Sequence, residues 1–147
     1  MGRTAVLVDG FNLRHGMKEQ RGRRYLWLDH VKLASRLRQR DQIVDVLYLT
    51  ASVLDDVASA GRQQTYLEAL KAHNPGALTV VEGRYQRKHM RCRACSAHWI
   101  SYVERETDVN IAVALMEIAA LPTVDTVLVV SADSDLCPAV GIQARTA

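Results

Sequence analysis

The chain has 147 residues, a formal net charge of +3 at pH 7 and 48% hydrophobic residues. This is the size of one ordinary domain and is enough to bury a hydrophobic core. No apolar run approaches the roughly 20 residues that a membrane-spanning helix requires, and no basic segment precedes a cleavable apolar stretch at the amino terminus. We therefore expect a single domain over residues 1–147, located in the cytoplasm and without a membrane partner.

The first half of the chain alternates short apolar runs with amphipathic stretches. Residues 4–8 form a nearly continuous apolar run, which predicts a buried parallel strand. Asp29 predicts the N-cap of a helix over about residues 30–40. A second strand is expected from Ile43 to Leu49. A helix over about residues 57–73 follows, and it ends at the Asn-Pro-Gly sequence that comes next.

The second half of the chain continues this alternation. A third strand is expected over Leu78–Val81, a helix from Thr107 to about Leu121, and a fourth strand from Thr126 to Val130. Pro138 suits the first turn of a last helix. We expect residues 141–147 to form a tail.

This order of strands and helices is typical of an α/β doubly wound domain with a mainly parallel sheet. Sheets of this type often carry a further strand and helix after the point where this sequence stops. The sequence leaves open whether the domain lacks these carboxyl-terminal elements.

Three aspartates follow the predicted strands or open a helix. Asp9 ends the first apolar run, Asp133 comes just after the fourth strand, and Asp108 lies at the start of the helix before that strand. Ligands of open parallel sheets bind beyond the carboxyl ends of the strands, so the three carboxylates are expected in one crevice. Unless they serve only as caps and turn residues, such carboxylates are natural ligands of Mg²⁺ or Mn²⁺ for phosphodiester hydrolysis.

Three further polar residues belong to the same motifs. Asp135 lies two residues after Asp133 and is predicted either to cap the next helix or to act as a fourth metal ligand. Asn12 is predicted to orient Asp9 or to bond a phosphate oxygen of a substrate. We expect Ser131 to play the same part beside Asp133.

Two basic stretches follow predicted strands on the side where the aspartates collect. A solvated surface is the simpler interpretation of each, but cations around an acidic cluster suit a polyanion that needs both metal and Arg/Lys contacts. They supply candidate substrate-binding residues, Arg14, Arg84, Arg87 and Lys88 among them. RNA is the expected partner.

Residues 83–106 are expected to be an irregular basic loop that contains a Cys-x-x-Cys sequence, Cys92 and Cys95. Together with His89 and His98, spaced at intervals of three, these cysteines could hold a structural Zn²⁺ ion. Partners from a second chain would serve equally well, and an unmetallated pair of thiols is the alternative. Cys137 is expected to be a small buried residue.

The acidic motifs resemble those of the NYN family, a branch of the PIN-like nucleases, and in particular its bacterial LabA-like members. The resemblance depends on three segments, Val8 to Asn12, Thr107 to Val113 and Ser131 to Leu136. It implies a PIN-like three-layer α/β/α fold and a Mg²⁺- or Mn²⁺-dependent ribonuclease site. Asp9, Asp108 and Asp133 match the acidic positions of the family, and such nucleases often act as dimers, so a homodimer is a further expectation.

One departure concerns the residues before the middle aspartate. The family often has Glu-Glu-Lys where this chain has Val103, Glu104 and Arg105. The positive charge at Arg105 is kept, so it remains a candidate phosphate contact, but arginine and lysine differ in a close contact of this kind.

Two other functional classes compete with the endoribonuclease. An RNA-binding or regulatory module with a weak or inactive site would keep the same aspartates. A phosphatase of the haloacid dehalogenase type also begins with an aspartate after its first strand, but it needs a second aspartate two residues later, where this chain has Phe11.

Overall fold

The structure, a computed structural model, describes residues 1–52, 56–105 and 107–146. Side chains are described for all of these except residues 21, 84–87, 102–105 and 142–146. The strands are β1 (Arg3–Asp9), β2 (Gln42–Ala51), β3 (Leu78–Arg91), β4 (His98–Arg105) and β5 (Thr126–Val130). The helices are α1 (Gly10–Arg21), α2 (His30–Leu37), α3 (Val57–His73), α4 (Thr107–Ala119) and α5 (Cys137–Thr146), with a short 3₁₀ turn at Ser134–Leu136.

The five strands form one sheet in the order β4-β3-β2-β1-β5. β1 pairs in parallel with both β2 and β5, and β2 pairs in parallel with β3. Among the described strands, β3 and β4 form the one antiparallel pair. β2, β3 and β4 follow one another on one side of β1, whereas β5 lies on the other side of β1. The order in which the chain adds strands therefore reverses between β1 and β5, and open α/β sheets bind their ligands at such a switch point.

Two hydrophobic clusters lie on opposite faces of the sheet. On one face, alternate residues of β1 such as Val6 and Val8 pack with Tyr66, Leu67 and Leu70 of α3. On the other face, the intervening Leu7 packs with Leu49 and with residues of α4. Because successive side chains of a strand point to opposite faces, a continuous apolar strand needs helices on both sides. The predicted α/β class and its three-layer arrangement are confirmed.

Most of the predicted helices and strands are present, and several helices begin or end at the capping and turn residues that were expected. Asp29 caps α2 by accepting hydrogen bonds from the backbone N–H groups of Val31 and Lys32. α3 ends at His73, where the turn that follows places Gly76 at a φ of 74°. This φ lies in the left-handed region that glycine enters without steric cost. Pro138 lies in the first turn of α5, as predicted.

The structure differs from the expectations in three places. The expected loop over residues 83–106 is largely a hairpin, in which β3 extends to Arg91 and pairs with β4. Backbone pairing with β4 keeps this largely polar part of β3 in a strand. The expected tail is helical through residue 146. α1 was not predicted, because its mostly polar sequence has no broad apolar stripe.

Within the described part of the chain, no helix combines the length and the apolar character that crossing a membrane would require.

Candidate functional site

Asp9 is the last residue of β1, and only 1% of its surface is exposed. Its carboxylate caps α1, accepting hydrogen bonds from the backbone N–H of Asn12 at 3.1 Å and from Nδ2 of Asn12 at 2.6 Å. The hydroxyl of Ser131 donates a third bond at 2.7 Å. These bonds offset part of the cost of burying a carboxylate and fix its orientation. Of the two predicted roles of Asn12, the structure shows the orientation of Asp9.

Ser131 connects the ends of the two strands at the switch point. β1 and β5 are in register with Val8 opposite Val130, so the next residues, Asp9 and Ser131, are neighbours. While its hydroxyl donates to Asp9, its oxygen accepts a hydrogen bond from the backbone N–H of Asp133 at 3.1 Å. One side chain thus links the first and the third of the three acidic motifs.

Asp133 and Asp135 begin the turn that leads into α5. The side chain of Asp133 accepts a hydrogen bond from the backbone N–H of Asp135 at 2.9 Å and so caps the 3₁₀ turn. Asp135 is exposed. Capping, the simpler interpretation of these aspartates, is therefore real for both Asp9 and Asp133. It does not account for Asp108, which lies in the first turn of another helix, α4.

Asp108 is electrostatically coupled to the other three aspartates. Asp108 is exposed on α4, but partial desolvation still raises the pKa of its carboxyl, and the negative charges of Asp133, Asp9 and Asp135 raise it further. Like charges have this effect only over short distances, because solvent and salt screen them. The hydrogen bonds of Ser131 hold Asp9 and the Asp133 backbone together at the carboxyl edge of the sheet, and Asp108 lies near enough for their charges to act on its carboxyl.

The carboxylates near Asp9 are chemically suited to bind a divalent cation, but they do not surround one common point. Carboxylate oxygens are the ligands that Mg²⁺ and Mn²⁺ prefer. Desolvation raises the pKa of Asp108, and the neighbouring negative charges raise it further. Yet no three His, Cys, Asp or Glu side chains among the described residues are placed to hold one metal ion together. Direct coordination by three aspartates would require their side chains to move toward each other.

The predicted basic residues divide between two regions. Arg14 lies on α1, just beyond the residues that bond Asp9, and lines a cavity on that side. Lys88 is exposed on β3. Arg84, Arg87 and Arg105 belong to the β3–β4 hairpin, and their side chains lie outside the described residues.

The Cys-x-x-Cys sequence forms the turn of the β3–β4 hairpin. Cys92 donates its backbone N–H to Ala97 O at 2.8 Å and accepts from the N–H of Ser96 at 3.0 Å. Hydrogen bonds from Cys95 and Ala94 lower the pKa of the Cys92 thiol. The described side chains provide no third zinc ligand here, so a Zn²⁺ site would need ligands from elsewhere, such as a second chain. Cys137, expected to be buried, is exposed.

Sequence reasoning missed the residues around Arg14 that complete its cavity. Trp27 and Arg62 both line it, although they come from separate segments of the chain. A signal was present, since Arg14 and Lys18 are spaced as neighbours on one helix face and an aromatic residue follows the basic stretch. The contribution of α3 could not be found without the fold.

A three-layer α/β/α domain with carboxylates collected at the switch point of its sheet is the class of domain that PIN-like nucleases share. The chain belongs to the NYN domain family, whose profile matches residues 3–143. The branch within the family is not distinguished by this match.

Two individual proteins are similar to the chain. It is 26% identical to 6-hydroxy-3-succinoylpyridine 3-monooxygenase HspA of Pseudomonas putida (strain DSM 28022 / S16), over 93% of this chain and 54% of that protein. The chain thus spans about half the length of this relative. A crystal structure of a protein of unknown function from Vibrio parahaemolyticus RIMD 2210633 has the same fold, with a TM-score of 0.64 and 22% identity over 98% of this chain and 75% of that one.

Proposed function

We propose that this protein is a divalent-metal-dependent endoribonuclease of the LabA-like branch of the NYN family. The observation that carries the proposal is the pair of hydrogen bonds by which Ser131 joins Asp9 to the Asp133 motif, with the charges of both acting on Asp108 from a third segment. Stabilising interactions alone would not select such an arrangement, because unpaired like charges in one cleft repel one another. Membership of a family of PIN-like nucleases supports the same conclusion.

Asp9, Asp108 and Asp133 would hold Mg²⁺ or Mn²⁺, with Asp135 as a fourth ligand. The bound ion would supply Lewis-acid chemistry at the phosphodiester and lower the pKa of water. Asn12 and Ser131 keep the Asp9 carboxylate in one orientation through bonds of 2.6 and 2.7 Å. The cations of α1 and of the β3–β4 hairpin, Arg14, Arg84, Arg87, Lys88 and Arg105, would contact RNA phosphates.

The test is cleavage of a labelled single-stranded RNA with Mg²⁺ or Mn²⁺, with chelator as the blank. Asp108→Asn should lower cleavage by at least about a hundredfold, because it removes one carboxylate of the cleft without removing a helix cap. Glu117→Gln is the matched control, since it neutralises an exposed carboxylate farther along the same helix. Equal cleavage by Asp108→Asn and by the control would contradict the proposal.

The second candidate is an RNA-binding module with an inactive site. It is favoured by one observation, the absence of any three described carboxylates placed around a common point. Under this alternative the protein binds RNA equally well in chelator and in Mn²⁺, and no divalent ion produces cleavage products. Gel analysis of the same RNA samples used for binding separates the two candidates.

A further inference from the structure

A cavity of about 250 Å³ lies between α1, the segment that follows it, and α3. Its described lining combines positive charge with apolar rings and comes from two distant parts of the sequence. The lining residues are Arg14, Lys18, Arg23, Leu26, Trp27, Ser59, Arg62 and Tyr66. None of these is acidic, and four are cationic. The cavity therefore suits an anionic ligand that also has an aromatic or otherwise flat apolar part.

The cations of this cavity are largely available to a ligand. Among the described residues, no carboxylate forms an ion pair with Arg14, Lys18 or Arg23. Arg62 is paired with Asp56, but the contact is long, 3.6 Å, and about half of each side chain is exposed. Exposed pairs of this kind contribute little energy, so a phosphate could replace Asp56 at Arg62.

Trp27 presents an aromatic surface at the same cavity. Its ring packs edge to face against Tyr66, with the centroids 5.7 Å apart and the planes at 83°, while 59% of the residue stays exposed. Tyr66 is in turn fixed, because its hydroxyl donates a hydrogen bond to the carbonyl of Leu28 at 2.6 Å. A supported and exposed indole is a suitable platform for stacking a base.

The cavity is close to the acidic cleft. Arg14 lies five residues after Asp9 on α1, a rise of about 7 Å along the helix axis. Arg14, Leu26 and Tyr66 also line a smaller cavity that reaches Gly10, the residue after Asp9. The ring of Tyr48, which lies directly against Gly10, lines this smaller cavity as well, so the two regions are neighbours.

We propose that this cavity binds one unpaired nucleotide of the RNA strand next to the bond that is cleaved. The base stacks on Trp27, and Arg14, Arg23 and Arg62 bind the adjoining phosphates. A base that is paired in a duplex cannot reach the indole, so the cavity makes cleavage depend on a single-stranded flank. This inference rests on the proposed nuclease function, since it assigns the substrate contacts of that site.

The experiment uses the full chain in chelator, where RNA stays intact. The sequence has two tryptophans, so a Trp99→Phe protein reports on Trp27 alone. Titration with a short single-stranded RNA should quench the Trp27 fluorescence, and the same sequence as a blunt duplex should bind at least about tenfold more weakly. Uridine monophosphate and inorganic phosphate serve as probes for a site that takes only free small anions.

Variants separate stacking from general charge attraction. In fluorescence anisotropy with labelled RNA, Trp27→Ala should weaken binding of the single strand about tenfold or more. Arg23→Ala should weaken it as well and should reduce the slope of log affinity against log salt concentration by about 0.7. Arg40→Ala is the matched control, because it removes an exposed arginine at the opposite edge of the sheet and should change neither quantity.

The possible results separate the cavity assignment from the nuclease proposal. Metal-dependent cleavage that is equally efficient in wild type, Trp27→Ala and Arg23→Ala would overturn the cavity assignment and leave the nuclease proposal intact. Quenching by phosphate or by uridine monophosphate at affinities equal to that of the RNA would also overturn it. Losses of RNA binding confined to the cavity variants, without cleavage by any protein, would support the cavity and contradict the nuclease. Circular dichroism of each variant identifies any loss of fold, and Arg23→Ala serves if Trp27→Ala does not fold.

Discussion

His30 is a buried residue that lines the smaller cavity together with Tyr48 and Tyr66, and these neighbours affect whether its ring binds a proton. It is 1% exposed and stacks on Tyr48 with the ring centroids 4.2 Å apart. The hydroxyl of Tyr66 donates to Leu28 O, so Nε2 of His30 must donate to that hydroxyl oxygen, 3.0 Å away. Nδ1 has no hydrogen-bond partner among the described residues, so a proton on it would be a buried donor left unsatisfied. The geometry selects the neutral ring.

This arrangement predicts acid sensitivity. Burial lowers the pKa of His30 from 6.5 to about 4, although the negative charge of Asp29 opposes the shift. The unfolded chain then binds a proton first as the pH falls, so stability present above about pH 6.5 is lost progressively down to about pH 4. The loss is roughly 3 kcal/mol, from about 1.4 kcal/mol for each pKa unit.

The measurement is urea unfolding of wild type and His30→Gln from pH 7 to pH 4. Glutamine does not titrate, so the difference in unfolding free energy between the two proteins should change by roughly 3 kcal/mol over this range. The same series with His15→Gln, at an exposed histidine of α1, is the comparison for the substitution itself. A constant difference for His30→Gln would show that the ring is not held neutral.

At the scale of the elements, the approach of α1 to β2 determines where Asp9 lies. α1 begins immediately after Asp9, and at Gly10 the backbone passes close to β2. A Cβ atom at Gly10 would lie 2.6 Å from Cε2 of Tyr48 and 2.7 Å from the carbonyl oxygen of Leu49. The backbone contact cannot be relieved by rotating a side chain. Glycine is therefore required next to the candidate metal ligand.

Two glycines of the same helix should respond in opposite directions to alanine. Gly10→Ala should destabilise the protein by about 1–3 kcal/mol and lower RNA cleavage, because helix and strand must separate. Gly16→Ala has open space around its Cβ position and should stabilise the protein by about 0.5–1 kcal/mol. Thermal or urea unfolding measures both. Destabilisation of similar size at both positions would show that helix propensity, not close approach, decides the outcome.

The β3–β4 hairpin gives a prediction about Cys92. Its thiol has a lowered pKa from hydrogen bonding at the turn, whereas Cys137 is exposed on another element. Alkylation by iodoacetamide near pH 7.5 should therefore be faster at Cys92 than at Cys137. Zn²⁺ should protect Cys92 and Cys95 together if the hairpin binds metal with outside ligands. Equal rates at Cys92 and Cys137, with or without Zn²⁺, would contradict both the activated thiol and the zinc site.

At the scale of the whole molecule, the strand order joins residues that are more than a hundred positions apart. Asp9 and Ser131 become neighbours only because β5 returns to the side of β1 opposite β2. Apolar runs that end in aspartates were enough to predict the parallel sheet, because a buried strand has a short-range pattern. The crevice shared by the three aspartates stays a prediction from the general rule of open sheets.

Other parts of the site depend on contacts that no local pattern encodes. The polar sequence of α1 is helical because Asp9 caps it and Leu13 packs on the core. The hairpin over the basic segment requires pairing between residues up to about twenty positions apart, such as Arg84 and Arg105. The alternation of apolar and polar residues in this segment did not indicate that pairing. The cavity at Trp27 needs Arg62 from α3, so only the folded chain reveals it.

The most direct test of the account is calorimetric titration of Mn²⁺ into the metal-free protein. We predict saturable binding in wild type that weakens at least about tenfold in each of Asp9→Asn, Asp108→Asn and Asp133→Asn, because one cleft contributes all the ligands. Glu117→Gln should bind like wild type. Absence of saturable binding by wild type, or affinities in the three aspartate variants equal to that of the control, would contradict a shared metal site.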